Sequence, residues 1–213
     1  MAGRTRGMLL ATLVAAWPGL AGAADLTVEV RDADGKPVRD AVVVLAAKGG
    51  AGTAKEPRIV DQVNEEFRPY VQVVRAGSQI VFRNSDETRH HVFSFSDARP
   101  LETQLNPGDS SAAMAFDKPG VVALGCNIHD HMSAFVYVTD SAHAAVTGED
   151  GRAVLAGAPE GAHTLRVWTP RLKPGAPEHE QAVTVAPGAA VAVPLAGLLP
   201  DRRPSADAER SSY

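Results

Sequence analysis

The sequence predicts an all-β protein built from β-sandwiches, and three patterns in the chain support this prediction. Short runs rich in apolar and β-branched residues recur along the chain. Turn dipeptides separate several of them, at Asp34-Gly35, Asp150-Gly151 and Glu160-Gly161. Long helical periodicity is absent after the first residues. Several short strands at regular spacing are typical of β-sandwiches.

The first segment is predicted to be a signal peptide over residues 1–23, cleaved after Ala23. Arg4 and Arg6 precede an apolar run over residues 8–17, and the small residues Ala21-Gly22-Ala23 follow it. This order of positive, apolar and small residues is typical of a secretory signal. Because the run is shorter than the roughly 20 apolar residues that a membrane helix needs, we expect export to the periplasm without a membrane span.

Ten runs beyond this segment are predicted as strands, with the three turn dipeptides as hairpin turns between strands. In chain order the runs are 26–31, 41–46, 71–74, 79–83, 91–95, 121–125, 134–138, 164–168, 182–185 and 190–195. The remaining length leaves room for one large or two small domains. The last residues, from about Asp201 to Tyr213, are polar and charged without periodicity, so we predict a disordered tail over residues 198–213.

Charge and cysteine content exclude some classes of partner. The chain has a net charge of −4 and no cluster of Lys and Arg, which makes nucleic acid an improbable partner. Exported proteins usually hold cysteines in disulfide pairs, but Cys126 is the single cysteine of this chain. Its thiol is therefore either buried and inert or bound to something other than sulfur.

The segment around Cys126 has the residue types of a metal site. Cys126 stands at the end of a predicted strand, and His129 and Met132 lie in the short loop 127–132 that leads to the next strand, so the sheet anchors both ends of the loop. A histidine from the pair His90-His91, on a neighbouring strand, would complete the set. One thiolate, two imidazoles and a thioether are the ligands of mononuclear copper electron-transfer sites, in which the thioether is a weak axial ligand.

Other uses of these residues fit less well. Zinc accepts cysteine and histidine, but methionine is a poor zinc ligand and a good copper ligand, so Met132 favours copper. A binuclear copper site would need a second cysteine. A nucleophilic Cys126 with His129 as its base would leave Met132 without a role, and we read no oxyanion feature. We therefore predict that the protein is not an enzyme.

Three motifs between Val60 and Thr139 resemble one known family. They are Val81-Phe82-Arg83-Asn84 followed six residues later by His90-x-Val92, the Pro119-Gly120 turn, and the Cys-x-x-His-x-x-Met loop. With these motifs the segment resembles the cupredoxins, the plastocyanin-like blue-copper family. The resemblance implies a Greek-key β-sandwich over residues 57–140 that carries electrons and binds one copper ion through His90, Cys126, His129 and Met132.

The resemblance also implies a kind of partner. It makes the exposed imidazole of His129 the route for electrons to a transient redox partner, such as a cytochrome or an amine dehydrogenase, and we expect Ala134 and Pro107 on the docking surface. Residues 90–96, 116–122 and 125–130 look like exported proteins labelled methylamine utilization proteins. That label implies an association with amine oxidation and no particular reaction.

This chain departs from the family pattern at His91, where blue-copper proteins usually have a small polar residue. Alternation along a strand places His90 and His91 on opposite faces, so only one of them easily reaches the metal. The spacing from Asn84 favours His90, whereas Phe93 and Phe95 share the parity of His91.

Two more departures lie in the cysteine loop. His129 and Met132 are only three residues apart, closer than in plastocyanin, which leaves the axial bond length open. His131 stands beside Met132. We expect His131 to face solvent; the alternative is a second imidazole that competes for the axial position.

The flanking segments resemble a different family. Residues 26–38 and 40–45 look like the first hairpin of carboxypeptidase-regulatory-like (transthyretin-like) β-sandwiches, and the continuation at 146–155 and 157–168 comes only after the copper region. The resemblance implies a second, smaller, noncatalytic sandwich made of residues 25–50 and 141–197, with the copper-binding unit inserted between them. The simpler alternative is that residues 25–50 extend the copper-binding sheet.

Two other functions use the same ligands. The protein could bind or deliver copper without passing electrons, or it could be an envelope scaffold with a structural metal.

Overall fold

A computed structural model describes residues 22–47 and 56–201, and this part of the chain forms sixteen β-strands and no helix. The strands are β1 (Ala23–Asp32), β2 (Val42–Leu45), β3 (Arg58–Val63), β4 (Glu66–Arg68), β5 (Val71–Arg75), β6 (Ser78–Asn84), β7 (His90–Ser94), β8 (Leu101–Leu105), β9 (Met114–Phe116), β10 (Gly120–Cys126), β11 (Ser133–Thr139), β12 (Ala144–Val146), β13 (Arg152–Pro159), β14 (Gly161–Trp168), β15 (His179–Val185) and β16 (Ala190–Leu195). The predicted all-β fold is confirmed.

The predicted signal peptide and the predicted disordered tail lie largely outside the described residues. Of the predicted signal peptide, residues 1–21 lie outside them, whereas Ala23, its predicted last residue, begins β1; residues 202–213 of the predicted tail also lie outside them. Within the tail, Leu199 is described, and its amide donates a hydrogen bond to the carbonyl of Arg171. Across the described ranges, no helix is long and apolar enough to cross a membrane.

One sandwich combines strands from before and after the middle of the chain. Its first sheet has the order β13-β1-β16, and its second has the order β12-β2-β14-β15. Alternation along β1 turns Leu26, Val28 and Val30 inward, where they pack with Leu165 and Val167 of β14. Strands 23–32 and 42–45 therefore share a core with strands beyond residue 144.

The other sandwich lies between these two parts of the chain. Its larger sheet has the order β5-β11-β10-β7-β8, and its smaller sheet has the order β4-β3-β6-β9. Phe82, Phe116 and Val122 are fully buried in the core between them. The chain crosses repeatedly between the two sheets.

The two sandwiches pack face to face through a third apolar cluster, so the four sheets form four layers. Val42 and Val44 of β2 contact this cluster, whereas Val43 and Leu45 face the opposite core. Burial on both faces explains why β2 is uninterruptedly apolar. Tyr137 of β11 is buried in the cluster, and its hydroxyl donates a hydrogen bond to Glu178 Oε1 at 2.7 Å.

The turn dipeptides have positive φ glycines as expected, but two of the three predicted hairpins are wrong. At Asp34-Gly35 the chain does fold back, and the Val38 amide donates to the Val30 carbonyl. Asp150-Gly151 and Glu160-Gly161 instead join strands that belong to opposite sheets. A dipeptide that favours positive φ predicts a reversal of the chain, but it does not determine which sheet the next strand joins.

A polar contact joins two strands of the smaller sheet. Asp61 of β3 is buried opposite Arg83 of β6 and accepts hydrogen bonds from both Arg83 Nε, at 2.9 Å, and Arg83 Nη2. Ser85 Oγ donates to the same carboxylate. Burial raises the pKa of Asp61, but the hydrogen bonds from Arg83 and Ser85 outweigh burial and lower this pKa overall.

We expect the wild type to lose stability in acid more steeply than Asp61→Asn. Asp61 titrates near pH 3.9 in the unfolded chain and lower in the folded protein. Its stabilisation is therefore fully present above the unfolded pKa and is lost as the pH falls through the folded pKa. Urea unfolding between about pH 7 and pH 3 measures this slope. Asp97→Asn, at an exposed position, is the control, and parallel profiles for wild type and Asp61→Asn would contradict the assignment.

Candidate metal centre

Strands β7 and β10 bring the candidate ligands to one end of the larger sheet. The two strands are antiparallel, with Cys126 opposite Val92, so the end of β10 lies beside the start of β7 at His90. The loop 127–132 then returns the chain to β11. Within this loop the Met132 amide donates a hydrogen bond to the His129 carbonyl at 3.0 Å, which closes a tight turn.

His90, Cys126 and His129 converge on one point. Cys126 Sγ lies 3.8 Å from His90 Nδ1 and 4.0 Å from His129 Nδ1, and the two Nδ1 atoms are 3.2 Å apart. Two donors about 2 Å from one ion at trigonal angles would be about 3.5 Å apart, so these separations fit a single metal ion. Among the described residues, this group is the one whose donor atoms all lie within 4.8 Å of one another.

The three side chains differ in their access to solvent. His90 is fully buried and Cys126 is 4% exposed, whereas the side chain of His129 is 19% exposed. Met132 is buried in the same apolar cluster as Cys126. The group therefore lies beneath the surface, and His129 is its most accessible member.

His91 and His131 lie outside the converging group. His91 is on the opposite face of β7, where its Nε2 is 2.6 Å from Glu102 Oε1 and its Nδ1 is 3.5 Å from Asn127 Nδ2. The side chain of His131 is 62% exposed, with its Nε2 3.6 Å from Glu65 Oε2. The structure thus brings His90, rather than His91, to Cys126.

Asp86 fixes the orientation of His90. It lies in the loop between β6 and β7, and its Oδ2 is 2.9 Å from His90 Nε2. With Nε2 directed to this carboxylate, Nδ1 is left to face Cys126, which is the arrangement of a metal-binding histidine supported by a carboxylate. Burial raises the pKa of Asp86, but hydrogen bonds from the Glu65 backbone and from His90 lower it overall.

The loop that carries Asp86 is held by Asn84, the last residue of β6. The buried Asn84 Nδ2 donates hydrogen bonds to the carbonyls of Thr88 at 2.8 Å and Leu105 at 3.1 Å. Its Oδ1 accepts the Asp86 amide at 2.9 Å. Asn84 therefore sets the position of the carboxylate that orients His90.

Sequence reasoning missed two residues and misplaced one. Asp86 and Glu65 both approach histidines of the site, although neither was predicted there. For Asp86 a signal did exist, because it lies four residues before His90 in the polar loop. The expected docking role of Ala134 is wrong, since Ala134 is 1% exposed and packs in the core. Ile128, next to His129, is exposed instead.

No family model and no curated protein matches this chain. Several solved structures are similar to part of it. One is a Cu-containing nitrite reductase from Thermus scotoductus, with a TM-score of 0.38 and 25% identity over 44% of this chain, which spans about a quarter (25%) of that enzyme. Another is a purple cupredoxin from Nitrosopumilus maritimus, with a TM-score of 0.34 and 18% identity, covering 38% of this chain and 99% of that one.

A third similar structure is a mutant of amicyanin in its reduced Cu(I) form. It has a TM-score of 0.36 and 16% identity, covering 45% of this chain and 97% of that one. These three structures are a copper-containing reductase, a cupredoxin and an amicyanin, and each similarity covers less than half of the chain.

Proposed function

We propose that this protein is an exported copper protein that binds one copper ion and carries single electrons between redox partners. The convergence of the Cys126 sulfur with the Nδ1 atoms of His90 and His129 carries the proposal. A bound copper ion would supply a one-electron couple. Sulfur and nitrogen donors suit both of its oxidation states, and Cys126 and His90 are held on two paired strands.

The donor set favours copper over zinc. Met132 is buried in the same cluster as Cys126, and a thioether is a soft ligand that suits copper. We assign His90, Cys126 and His129 as the strong ligands and Met132 as the weak axial ligand. Asp86 and Asn84 hold His90 in place before any metal binds, which keeps rearrangement between oxidation states small.

The surface around His129 is the proposed contact for a partner. His129 is the most accessible of the three converging residues, and the exposed Ile128 precedes it in the loop. A transient redox partner needs only a small interface, and a cytochrome or an amine dehydrogenase would fit. The resemblance to methylamine utilization proteins supports amine oxidation as the process, and the pattern of residues 1–23 supports a periplasmic location.

We infer a carrier rather than an enzyme from the burial of the sulfur. Cys126 is 4% exposed, beneath the cysteine loop, so a substrate would have little access to its thiol. An electron reaches a buried centre without such contact, whereas nucleophilic catalysis requires it.

Reconstitution of the purified protein with Cu(II) tests the proposal. An electron carrier should give an intense visible thiolate-to-copper band and a reversible one-electron couple in voltammetry. A delivery protein would bind Cu(I) and give no stable coloured oxidised form. A scaffold would change only in thermal stability on metal removal. Either of the last two results would overturn electron transfer as the function.

Replacing each of the two adjacent histidines with alanine should show which of them binds copper. We expect His90→Ala to lose the visible band, because His90 Nδ1 lies 3.8 Å from Cys126 Sγ. His91→Ala should keep the band, because His91 lies on the opposite face of β7 and contacts Glu102. Absorption spectra of both variants after Cu(II) addition measure this difference. Loss of the band in His91→Ala alone would contradict the assignment.

A further inference from the structure

The hairpin between β3 and β4 ends in an unusual two-residue turn. Val63 pairs with Glu66, so Asn64 and Glu65 form the whole loop. Both residues have positive φ, at 56° and 57°. Two-residue loops of this kind favour Asn followed by Gly, because glycine alone adopts positive φ without a steric penalty. Asn64 fits that pattern, whereas Glu65 is strained.

A single carboxylate ties this turn to the candidate metal centre. Asp86 accepts the backbone N–H of Asn64 on Oδ1 and that of Glu65 on Oδ2, the latter at 2.9 Å. The same Oδ2 lies 2.9 Å from His90 Nε2. The turn is thus held at a fixed distance from a buried member of the His–Cys–His group.

The Glu65 side chain extends from this turn across the outer edge of the site. Its Oε1 lies 3.6 Å from His129 Nε2, and its Oε2 lies 3.6 Å from His131 Nε2. The other ring nitrogen of His129 faces inward, 4.0 Å from Cys126 Sγ. The Glu65 carboxylate therefore lies against the outward edges of two imidazoles. Glu65 itself occupies the turn position that favours glycine.

We propose that Glu65 is a positioning residue of the metal centre: its carboxylate attracts the outward Nε2 edge of His129 and keeps Nδ1 of that ring directed at Cys126 and His90. A glycine at position 65 would relieve the backbone strain but would remove the carboxylate. For its metal-dependent part, this inference rests on the proposed binding of copper.

Two glycine substitutions in the same turn test the proposal. Glu65→Gly relieves the backbone strain, so we expect a higher Tm for the metal-free protein. It also removes the carboxylate, so we expect the copper-loaded protein to lose copper to excess chelator about tenfold faster than the wild type. Asn64→Gly changes the same turn and keeps the carboxylate, so copper loss should match the wild type. Equal copper loss in Glu65→Gly and wild type would overturn the proposal, because Glu65 would then serve only the turn.

A second measurement does not need copper. We expect Glu65→Gln to shift and broaden the His129 ring signals in NMR spectra of the metal-free protein. Glu66→Gln is the matched control, because it removes the same charge from the same hairpin, where Glu66 pairs with Arg68 at 3.3 Å. Unchanged His129 signals in Glu65→Gln would overturn the proposal. Failure of the wild type to bind copper would instead overturn the proposed function and leave this test of Glu65 in place.

Discussion

Cys126→Ser should abolish the intense visible absorption of the copper-loaded protein and its thermal stabilisation by copper. The band requires the thiolate, and a serine hydroxyl is a hard, protonated group that binds copper poorly. In the wild type, copper at 100 times its Kd would stabilise the fold by about 2.7 kcal/mol and raise Tm by about 5–11 °C. We expect no such rise in the variant. Calorimetry with and without copper, together with absorption spectra, measures both effects.

The control for this variant is Ser133→Ala, an exposed position at the start of β11. It should keep both the band and the stabilisation, which excludes a general effect of changing this region. The metal-free forms of all three proteins should unfold cooperatively. A Cys126→Ser protein that still gains Tm and colour from copper would show that the thiol is not a ligand.

Phe82→Ala should destabilise the protein by about 3–5 kcal/mol, the range measured for the removal of a buried phenylalanine. Phe82 is one of the largest fully buried side chains and lies in the core of the sandwich that holds the candidate metal centre, so its removal leaves a cavity. It lies on β6, two residues before Asn84, which holds the loop that orients His90. Urea unfolding followed by fluorescence and circular dichroism measures the loss.

Phe95→Ala is the matched control, because Phe95 is 86% exposed. We expect it to change the free energy of unfolding by less than about 0.5 kcal/mol. A loss of similar size in both variants would contradict the packing described for Phe82.

Alternation holds along β7, but the aromatic residues of this strand pointed to the wrong face. Along β7, His90, Val92 and Ser94 are buried, so His91 and Phe93 face outward. The usual tendency of aromatic side chains to lie inside pointed to the opposite face. Phe93 lies outside because Gly125 on the neighbouring strand has no side chain, and the Phe93 ring occupies that space, 2.9 Å from where a Cβ would stand.

Several strands were not predicted, because their residues show little alternation of apolar and polar side chains. Strands β4, β9 and β12 have three residues each, too few to show alternation. Strand β8 places Glu102 and Gln104 on an exposed face, and β3 carries the buried pair Asp61-Gln62. Pairing with neighbours, rather than the composition of the strand itself, makes these segments extended.

The candidate ligands are easier to find from the sequence than the residues that position them. Cys126 ends β10 and His129 lies in the loop that follows it, so their spacing alone brings them close. Glu65 comes from a hairpin whose strands were not predicted, and it reaches His129 only because Asp86 holds its turn. Such contacts depend on the packing of separate segments and cannot be found from spacing.

The pairing of β1 has a consequence for the order in which the protein assembles. Thr27 of β1 pairs with Val154 on one side and with Ala190 on the other, so both neighbours of this strand are synthesised long after it. The segments that contain His90, Cys126 and His129 have all been synthesised once the chain reaches Thr139, the end of β11. The sandwich with the candidate metal centre can therefore fold before either neighbour of β1 has been synthesised, and β1 can complete its own sheet only afterwards.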